Sequence, residues 1–252
     1  MGKNWQEAAV RAAEIISASR GLIALTGAGI SVPSGIPDFR SPGGLWSKYD
    51  PDEVASARSL SSNPRAVWEF LLEAVDLFGK AEPNPAHKVL ARMEREGRLL
   101  GIVTQNIDGL HQAAGSENVI EFHGGCERFF CMSCRRDFDI SRLSAISRDD
   151  LPVVCDDCGG VIRPDVVFFG EAIPHKALME SEYLVERADT MLIVGTSGFV
   201  APVNTYAARM KREGKKVVEV NLGATAYQGV ADVSVDGPAE EVLPELYRLA
   251  GQ

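Results

Sequence analysis

The sequence predicts an α/β fold: a doubly wound parallel sheet interrupted by a smaller inserted domain. Three observations predict it. Short apolar runs rich in β-branched residues recur along the chain, stretches of helical periodicity lie between them, and two segments break the alternation. A strand covered by helices on both faces reads as a continuous apolar run, not as the apolar–polar alternation of a strand with one wet face.

Taken in order, a helix is predicted over about residues 4–19, where Val10, Ala13 and Ile16 or Ser17 fall at helical spacing. A buried strand at 21–26 runs into Gly27-Ala28-Gly29. Further strands are predicted at 99–104, 119–122, 191–194 and 217–220, and helices at 86–96, 175–187 and 202–213. The first break, 41–85, reads as loop plus helices, with Asn63-Pro64 opening a helix that runs through Phe78. The second, 126–163, holds two Cys-x-x-Cys pairs and is flanked by strands, as an insertion should be. A large domain of 1–40, 86–125 and 164–252 is therefore expected to carry a loop-and-helix module (41–85) and a cysteine module (126–163).

Composition narrows the function classes. A chain of 252 residues, 45% hydrophobic and 24% charged, has the material for a sizeable globular core. A net charge of −9 argues against a protein held on nucleic acid by bulk electrostatics. The cysteine module itself sets six arginines against seven acidic residues, where a DNA-gripping ribbon would be basic. No apolar run approaches the ~20 residues that span a bilayer. The N-terminus leads into an amphipathic stretch bearing Glu7 and Glu14, unlike a secretory signal, and Gln6 breaks the myristoylation pattern. A cytoplasmic protein without direct nucleic-acid or membrane partners is expected.

Cys131/Cys134 and Cys155/Cys158 are separated by 20 residues, the spacing of a four-thiolate zinc site. Two residues between thiolates let one tight turn aim both sulfurs at a single tetrahedral ion, and Gly159-Gly160 supplies the turn of the second knuckle. Four cysteine ligands leave no position for water, so such a zinc is structural. A thioredoxin-like redox pair or loose thiols are the competing readings. Cys126 reads as a small buried residue or a stray redox thiol.

Chemistry gathers at the predicted strand ends, where open α/β sheets bind ligands. Gly27-Ala28-Gly29 suggests a backbone loop approaching a phosphate, although Val32 stands where a dinucleotide fingerprint has its third glycine. The Pro-, Ser- and Gly-rich stretch from Ile30 to Trp46 reads as a binding loop without secondary structure, with Phe39 and Arg40 side by side. Gln105, Asn106 and Asp108 offer amide and carboxylate groups suited to ribose hydroxyls and a carboxamide. His123 stands at another strand end, followed by Gly124 and Gly125; Gly195-Thr196-Ser197 and Asn221-Leu222-Gly223 complete a set fit for a nucleotide-sized ligand. Of the other histidines, His111 reads as a structural hydrogen-bonding residue, and His87 and His175 as helix caps or surface residues. One of Phe168 and Phe169 is expected in the core.

Together these motifs resemble the sirtuins, NAD-dependent protein-lysine deacylases. The resemblance rests on Gly27-Ala28-Gly29-Ile30-Ser31, Gly35-Ile36-Pro37-Asp38-Phe39-Arg40, Thr104-Gln105-Asn106-Ile107-Asp108-Gly109-Leu110-His111 and Phe122-His123-Gly124. It continues through the paired Cys-x-x-Cys, Val166-Val167-Phe168-Phe169-Gly170-Glu171 and Gly195-Thr196-Ser197, covering residues from about Ser19 to Leu246 in the family's order.

The resemblance implies a Rossmann-like NAD-binding large domain and a small domain made of the helical and zinc modules. It implies NAD contacts at Gly27, Ala28, Gly29, Ser31, Phe39 and Arg40, with Trp46 packing against that loop. Gln105 and Asn106 would address the ribose, and Ile107 and Asp108 the nicotinamide carboxamide. Gly195, Thr196 and Ser197 would take phosphate and ribose, and Asn221, Leu222, Gly223 and Ala239 the adenosine end. The reaction implied consumes NAD: the acyl oxygen of a modified lysine displaces nicotinamide, His123 serves as general base on a ribose hydroxyl with Asn106 beside it, and lysine and O-acyl-ADP-ribose leave. A histidine suits that task because its ordinary pKa of ~6.5 lies near working pH. An acyl-lysine peptide would lie extended along Val166, Val167, Phe168 and Phe169, with Gly170 and Glu171 closing the segment.

One departure bears on substrate. Sirtuins that prefer succinyl or malonyl lysine carry Tyr and Arg three residues apart on the helix after the cofactor loop; here Leu71 and Ala74 stand there. A buried acyl carboxylate would go unpaired, so acetyl or longer apolar acyl groups are expected, with Leu71 lining the channel. A protein mono-ADP-ribosyltransferase using the same NAD pocket is the leading alternative. A non-catalytic NAD-sensing module and a hydride-transfer dehydrogenase are weaker ones: the first needs no base, and the second lacks its fingerprint glycine.

Overall fold

Leu22 to Thr26 are buried without interruption and form β1 (Leu22–Thr26), the strand around which the sheet is laid in this computed structural model, which describes residues 5–38, 44–139 and 146–251. In chain order the other sheet strands are β2 (Ile102–Thr104), β3 (Val119–Glu121), β7 (Thr190–Val194), β8 (Lys216–Asn221) and β9 (Val233–Asp236). They are arranged β3-β2-β1-β7-β8-β9 and all pair in parallel. Counting sheet strands alone, this is the order 3-2-1-4-5-6 of a doubly wound nucleotide-binding fold, with its switch point between β1 and β7.

Side chains of β1 leave alternately to two cores. Leu22 and Ala24 meet α1 (Gln6–Ala18), α5 (Pro85–Arg95) and α9 (Ala239–Ala250), whereas Ile23 and Leu25 meet α7 (His175–Arg187) and α8 (Thr205–Arg212). Full burial of such side chains is worth about 1.5–3 kcal/mol each, which outweighs the few tenths that local propensity contributes.

A third core joins the two inserted segments. It packs Leu60 of α3 (Ala57–Ser62) and Val67, Trp68 and Leu71 of α4 (Pro64–Lys80) against Phe129, Cys131, Cys155, Ile162, Val166 and Phe168. These belong to or flank a three-stranded antiparallel sheet of β4 (Gly124–Cys131), β5 (Asp137–Asp139) and β6 (Ile162–Val166), ordered β5-β4-β6. The Trp68 indole stacks on Phe129 at 6.1 Å and donates to the Ile162 carbonyl at 2.8 Å, so helix and ribbon form one unit. The helix α4 begins where Asn63-Pro64 predicts it: the Asn63 side chain accepts from Ala66 N and proline needs no N–H partner.

Several expectations change. The strand expected at 99–104 starts only at Ile102, because Leu99 N is taken by the Met93 carbonyl closing α5. The loop expected to lack secondary structure contains 3-10 turns at Ala28–Ile30, Val32–Ser34 and Leu45–Ser47. Strand β9 and helix α9 were not anticipated, and the helix expected at 202–213 begins at Thr205. His175 is exposed at the start of α7, but His87 is no surface residue: it is fully buried on α5, its ring 4.9 Å from that of buried His111, with no hydrogen-bond partner on either nitrogen. Among the described residues, no helix is long and apolar enough to cross a membrane.

Burial pushes His87 down to about 4, and burial together with the His87 ring pushes His111 down to about 3. Above pH 6.5 both are mostly neutral in folded and unfolded chains, and the pair adds no pH dependence. Between pH 6.5 and about 4 the unfolded chain binds protons that the folded one refuses, so stability falls as pH falls. The Tm is expected to drop across this window and to drop less steeply in His87→Leu; identical slopes in the two proteins would contradict the assignment.

Candidate active site

The C-terminal edge of the sheet is drawn together by glycine. Gly29 N donates to the Gly195 carbonyl at 2.8 Å, and a Cβ on Gly29 would lie 2.8 Å from Gly195 Cα. A Cβ on Gly195, whose φ is +63°, would lie 2.3 Å from Ile30 N. Only two glycines allow the turns after β1 and β7 to touch in this way. Ala28 opens the first 3-10 turn directly beneath this contact.

Around that contact the expected polar groups converge. Gln105 Nε2 donates to Thr196 Oγ1 at 2.9 Å. Asn106, 7% exposed, donates from Nδ2 to Gly27 O and Ser31 Oγ, both at 3.2 Å, while its N–H is held by Thr104 Oγ1 at 3.1 Å. Ser31 Oγ donates to Asp108 Oδ2 at 2.7 Å, and Leu110 N to Asp108 Oδ1 at 3.0 Å. Burial pushes the Asp108 carboxyl above its usual range, against the pull of these donors. Ile107 packs against the third core. His111 is structural as expected: its Nε2 lies 2.9 Å from Thr26 Oγ1, which donates to Thr104 Oγ1 at 2.8 Å.

His123 sits in the turn between β3 and β4, its Nδ1 3.1 Å from the Gln105 carbonyl. A carbonyl can only accept, so Nδ1 carries the proton and Nε2 presents a lone pair. Burial lowers the His123 pKa, with the Gln105 bond opposing, so the ring is neutral near pH 7. Gly124 follows at φ +74°, and its Cβ would meet the Asp165 carbonyl at 2.0 Å, so only glycine lets β4 leave directly after the histidine.

At the far end of the sheet, Asn221 Nδ2 reaches Thr196 O at 3.4 Å and Ala226 N donates to the Ser197 carbonyl at 2.9 Å. Gly223 N is held by Asp236 Oδ1 at 3.0 Å, leaving Leu222 68% exposed. Ala239 begins α9 and is buried in the core beside α1 and α5. Phe39, Arg40 and the Trp46 side chain lie outside the described residues.

The segment after β6 is bound to the site through Val167 N, which donates to the His123 carbonyl at 2.8 Å. Phe168 is the core member of its pair and Phe169 is 45% exposed. The Phe169 backbone bridges to the loop before α3, accepting from Ala57 N at 3.0 Å and donating to Ala55 O at 2.8 Å. Gly170 makes the turn at φ +89° and Glu171 folds back. Leu71, 4% exposed, shares the third core with Val166 and Phe168.

Two positioning residues escaped sequence reasoning. Asn84 caps α5 through Ala86 N at 2.9 Å and also pins the cofactor loop, donating to Ile30 O at 2.7 Å and Ser34 Oγ at 3.0 Å. Its only sequence signal is an Asn-Pro helix start. Arg163 is buried beside the 166–171 segment, without a motif to announce it.

The four sulfurs of Cys131, Cys134, Cys155 and Cys158 lie within 4.8 Å of one another, with 3.5 Å between Cys131 and Cys158 and 3.8 Å between Cys134 and Cys155. Four thiolates at ~2.3 Å from a tetrahedral zinc stand about 3.8 Å apart, so the cluster has the donor set and the spacing that suit zinc. Cys131 ends the strand that Gly124 begins, about 20 Å away at ~3.3 Å per residue, too far for the ion to act on His123. Cys126 is buried and its thiol is pushed up to about 12, which makes it inert.

The chain is similar to known proteins along nearly its whole length. The model of the Sir2 family matches residues 27–202. The NAD-dependent protein deacylase of Thermococcus kodakarensis is 44% identical over 241 residues, covering 94% of this chain and 93% of that protein. A solved Sir2 homologue in complex with NAD superposes with a TM-score of 0.88 at 40% identity, over 96% of this chain and 93% of the other. A Sir2 protein bound to a myristoylated histone peptide superposes at 0.83 and 35% identity, over 97% of each chain.

Because thiolate ligation contributes directly to folding, Cys155→Ser is expected to lose bound zinc and to open 126–163 to protease. Metal analysis and limited proteolysis check this; full zinc content with an unchanged digestion pattern would contradict it.

Proposed function

The chain belongs to the Sir2 family, and from that membership we propose that it is an NAD-dependent protein-lysine deacylase in which His123 is the general base. The observation that carries this is the fixed tautomer of His123: a half-buried, neutral imidazole whose Nδ1–H is spent on Gln105 and whose Nε2 is available for a proton. A module that only bound nucleotide would have no use for it.

Bound NAD supplies the ADP-ribosyl group that accepts the acyl and the nicotinamide that departs. The chain's own residues divide the remaining work. Ile107 and Asp108 hold the carboxamide and Asn106 addresses the ribose, roles supported by the Ser31–Asp108 and Asn106–Ser31 hydrogen bonds that orient the two polar side chains. Gln105, Thr196 and Ser197 address ribose and phosphate beside the Gly27–Gly29–Gly195 contact, and Asn221, Leu222, Gly223 and the Ala239 backbone the adenosine end. His123 takes a ribose hydroxyl proton on Nε2. The acyl-lysine peptide lies along Val166, Val167, Phe168 and Phe169 and pairs through the backbone, so selectivity among target sequences is modest. Zinc on Cys131, Cys134, Cys155 and Cys158 is structural. The large domain is 1–40, 86–125 and 164–252, with 41–85 and 126–163 inserted. Cysteines without disulfides suit a reducing cytoplasm.

Leu71 and Ala74, both buried in α4, line the acyl channel with carbon only. A succinyl or malonyl carboxylate there would be desolvated without a cation.

The test is mass spectrometry of an acetyl-lysine peptide with and without NAD. Loss of the acetyl group only with NAD is expected, and His123→Ala should lower kcat by about a hundredfold or more. An acceptor protein that gains ADP-ribose while the peptide stays acylated would favour the transferase reading. The acid limb of the kcat/KM profile is expected below pH 6.5, since burial lowers His123; a limb above 7 would contradict the neutral-base role. Acetyl and longer apolar acyl peptides should be better substrates than succinyl peptides, and a preference for succinyl would overturn the apolar channel.

A further inference from the structure

On the reading that the peptide lies along residues 166–169, we propose that the ion pair between buried Arg163 and half-buried Glu171 is the positioning element of that segment and sets the affinity for the acyl-lysine peptide. Glu171 then acts through Arg163 and Phe168 N–H, the donors its carboxylate accepts from.

The Arg163 guanidinium, 7% exposed, spends every nitrogen on this short stretch. Nε donates to Pro164 O at 3.1 Å, Nη2 to Val166 O and to Glu171 Oε2 at 2.8 Å, and Nη1 to Glu171 Oε1. Glu171 Oε2 also accepts from Phe168 N at 3.0 Å. One fork-to-fork pair thus holds the main chain at Pro164, Val166 and Phe168, every second residue, and closes the turn at Gly170. The guanidinium lies over the Phe168 ring at 4.6 Å and the Phe130 ring at 5.5 Å, which keeps Phe168 in the core and leaves Phe169 outward.

Taking the Arg163 charge out of water offsets much of what its pairing with the partly exposed Glu171 gains, so an apolar pair of similar volume would serve the core as well. The geometry supplies the reason for this one. Val167 N–H and the Phe169 backbone find main-chain partners at His123, Ala55 and Ala57, and the groups between them, Val166 O and Phe168 N–H, take none of these. Side chains that reach back from Arg163 and Glu171 satisfy them from the buried side instead. Burial raises the Glu171 carboxyl, and the bonds from Arg163 and Phe168 N–H more than offset this, so its pKa lies below the usual carboxylate value and Glu171 is ionised at neutral pH. Arg163 also follows Ile162, which pairs with Cys131 in the ribbon and accepts from Trp68, so the clamp is anchored in the small-domain core.

The experiment is steady-state kinetics of the zinc-loaded enzyme, varying an acetyl-lysine peptide and NAD in turn, for wild type, Glu171→Ala, Glu171→Gln and Arg163→Lys. Glu171→Ala and Arg163→Lys are expected to raise the peptide KM about tenfold or more while the NAD KM and zinc content stay at wild-type values. Glu171→Gln keeps an acceptor for Phe168 N–H and should recover most of the loss; if Glu171→Ala does not fold, Arg163→Lys against Glu171→Gln carries the same comparison. A peptide KM unchanged in the folded variants, or both KM values rising together, overturns the clamp. Hydrogen exchange of the wild type separates the two readings: amides of 166–170 should gain protection with the acetyl-lysine peptide. Without that protection the segment is not the peptide site; with it, an unchanged KM condemns the clamp alone.

Discussion

The contact on which the active face depends is the approach of Gly29 to Gly195. β1 and β7 are neighbours at the switch point of the sheet, and their following turns meet so closely that a Cβ on either glycine would stand 2.8 Å or less from backbone. That approach lets residues from four chain segments share one small volume: Gly27 and Ser31, Gln105 to Asp108, His123, and Thr196. Hydrogen bonds then lock what proximity permits. Asn106 ties to Gly27 and Ser31, Ser31 to Asp108, and Gln105 to both Thr196 and, through its carbonyl, His123. These bonds hold one another's partners in place, and a site whose polar groups are held by their own neighbours needs little binding energy to order it.

The inserted domain reaches the same place along a different path. β4 leaves His123 through Gly124 and ends at Cys131, while β6 returns from the ribbon and hands Val167 back to the His123 carbonyl. The thiolate cluster, distant from the reaction, therefore sets where one strand of this pair ends and the other begins. Trp68 carries the same register into α4, whose Leu71 faces the core shared with Val166 and Phe168.

Much of this was legible from residues alone, for physical reasons. Strands buried on both faces announce themselves as apolar runs, and β1, β7 and β8 emerged within a residue or two of their predicted bounds. β9 did not, because a four-residue edge strand buries only alternate side chains and leaves too short a pattern. His87 begins a helix, where a cap is the ordinary expectation, and only the packing of α5 against α6 (Leu110–Ala113) puts it beside His111. Phe168 and Phe169 were indistinguishable in sequence; strand alternation and the Arg163 guanidinium decide which is buried. Among the polar side chains, Asn106, Asp108 and His123 belong to recognisable strand-end motifs. Asn84 and Arg163 act through main-chain carbonyls, which leave no trace in residue identity.

The most direct test of this account is a mass balance on single-turnover products, with NAD labelled in the nicotinamide and the peptide labelled in the acetyl group. A group transfer through the face built around Gly29, Gly195 and His123 predicts one nicotinamide and one acetyl-ADP-ribose for every lysine freed. Free acetate from the enzyme step, with NAD left intact, would contradict it.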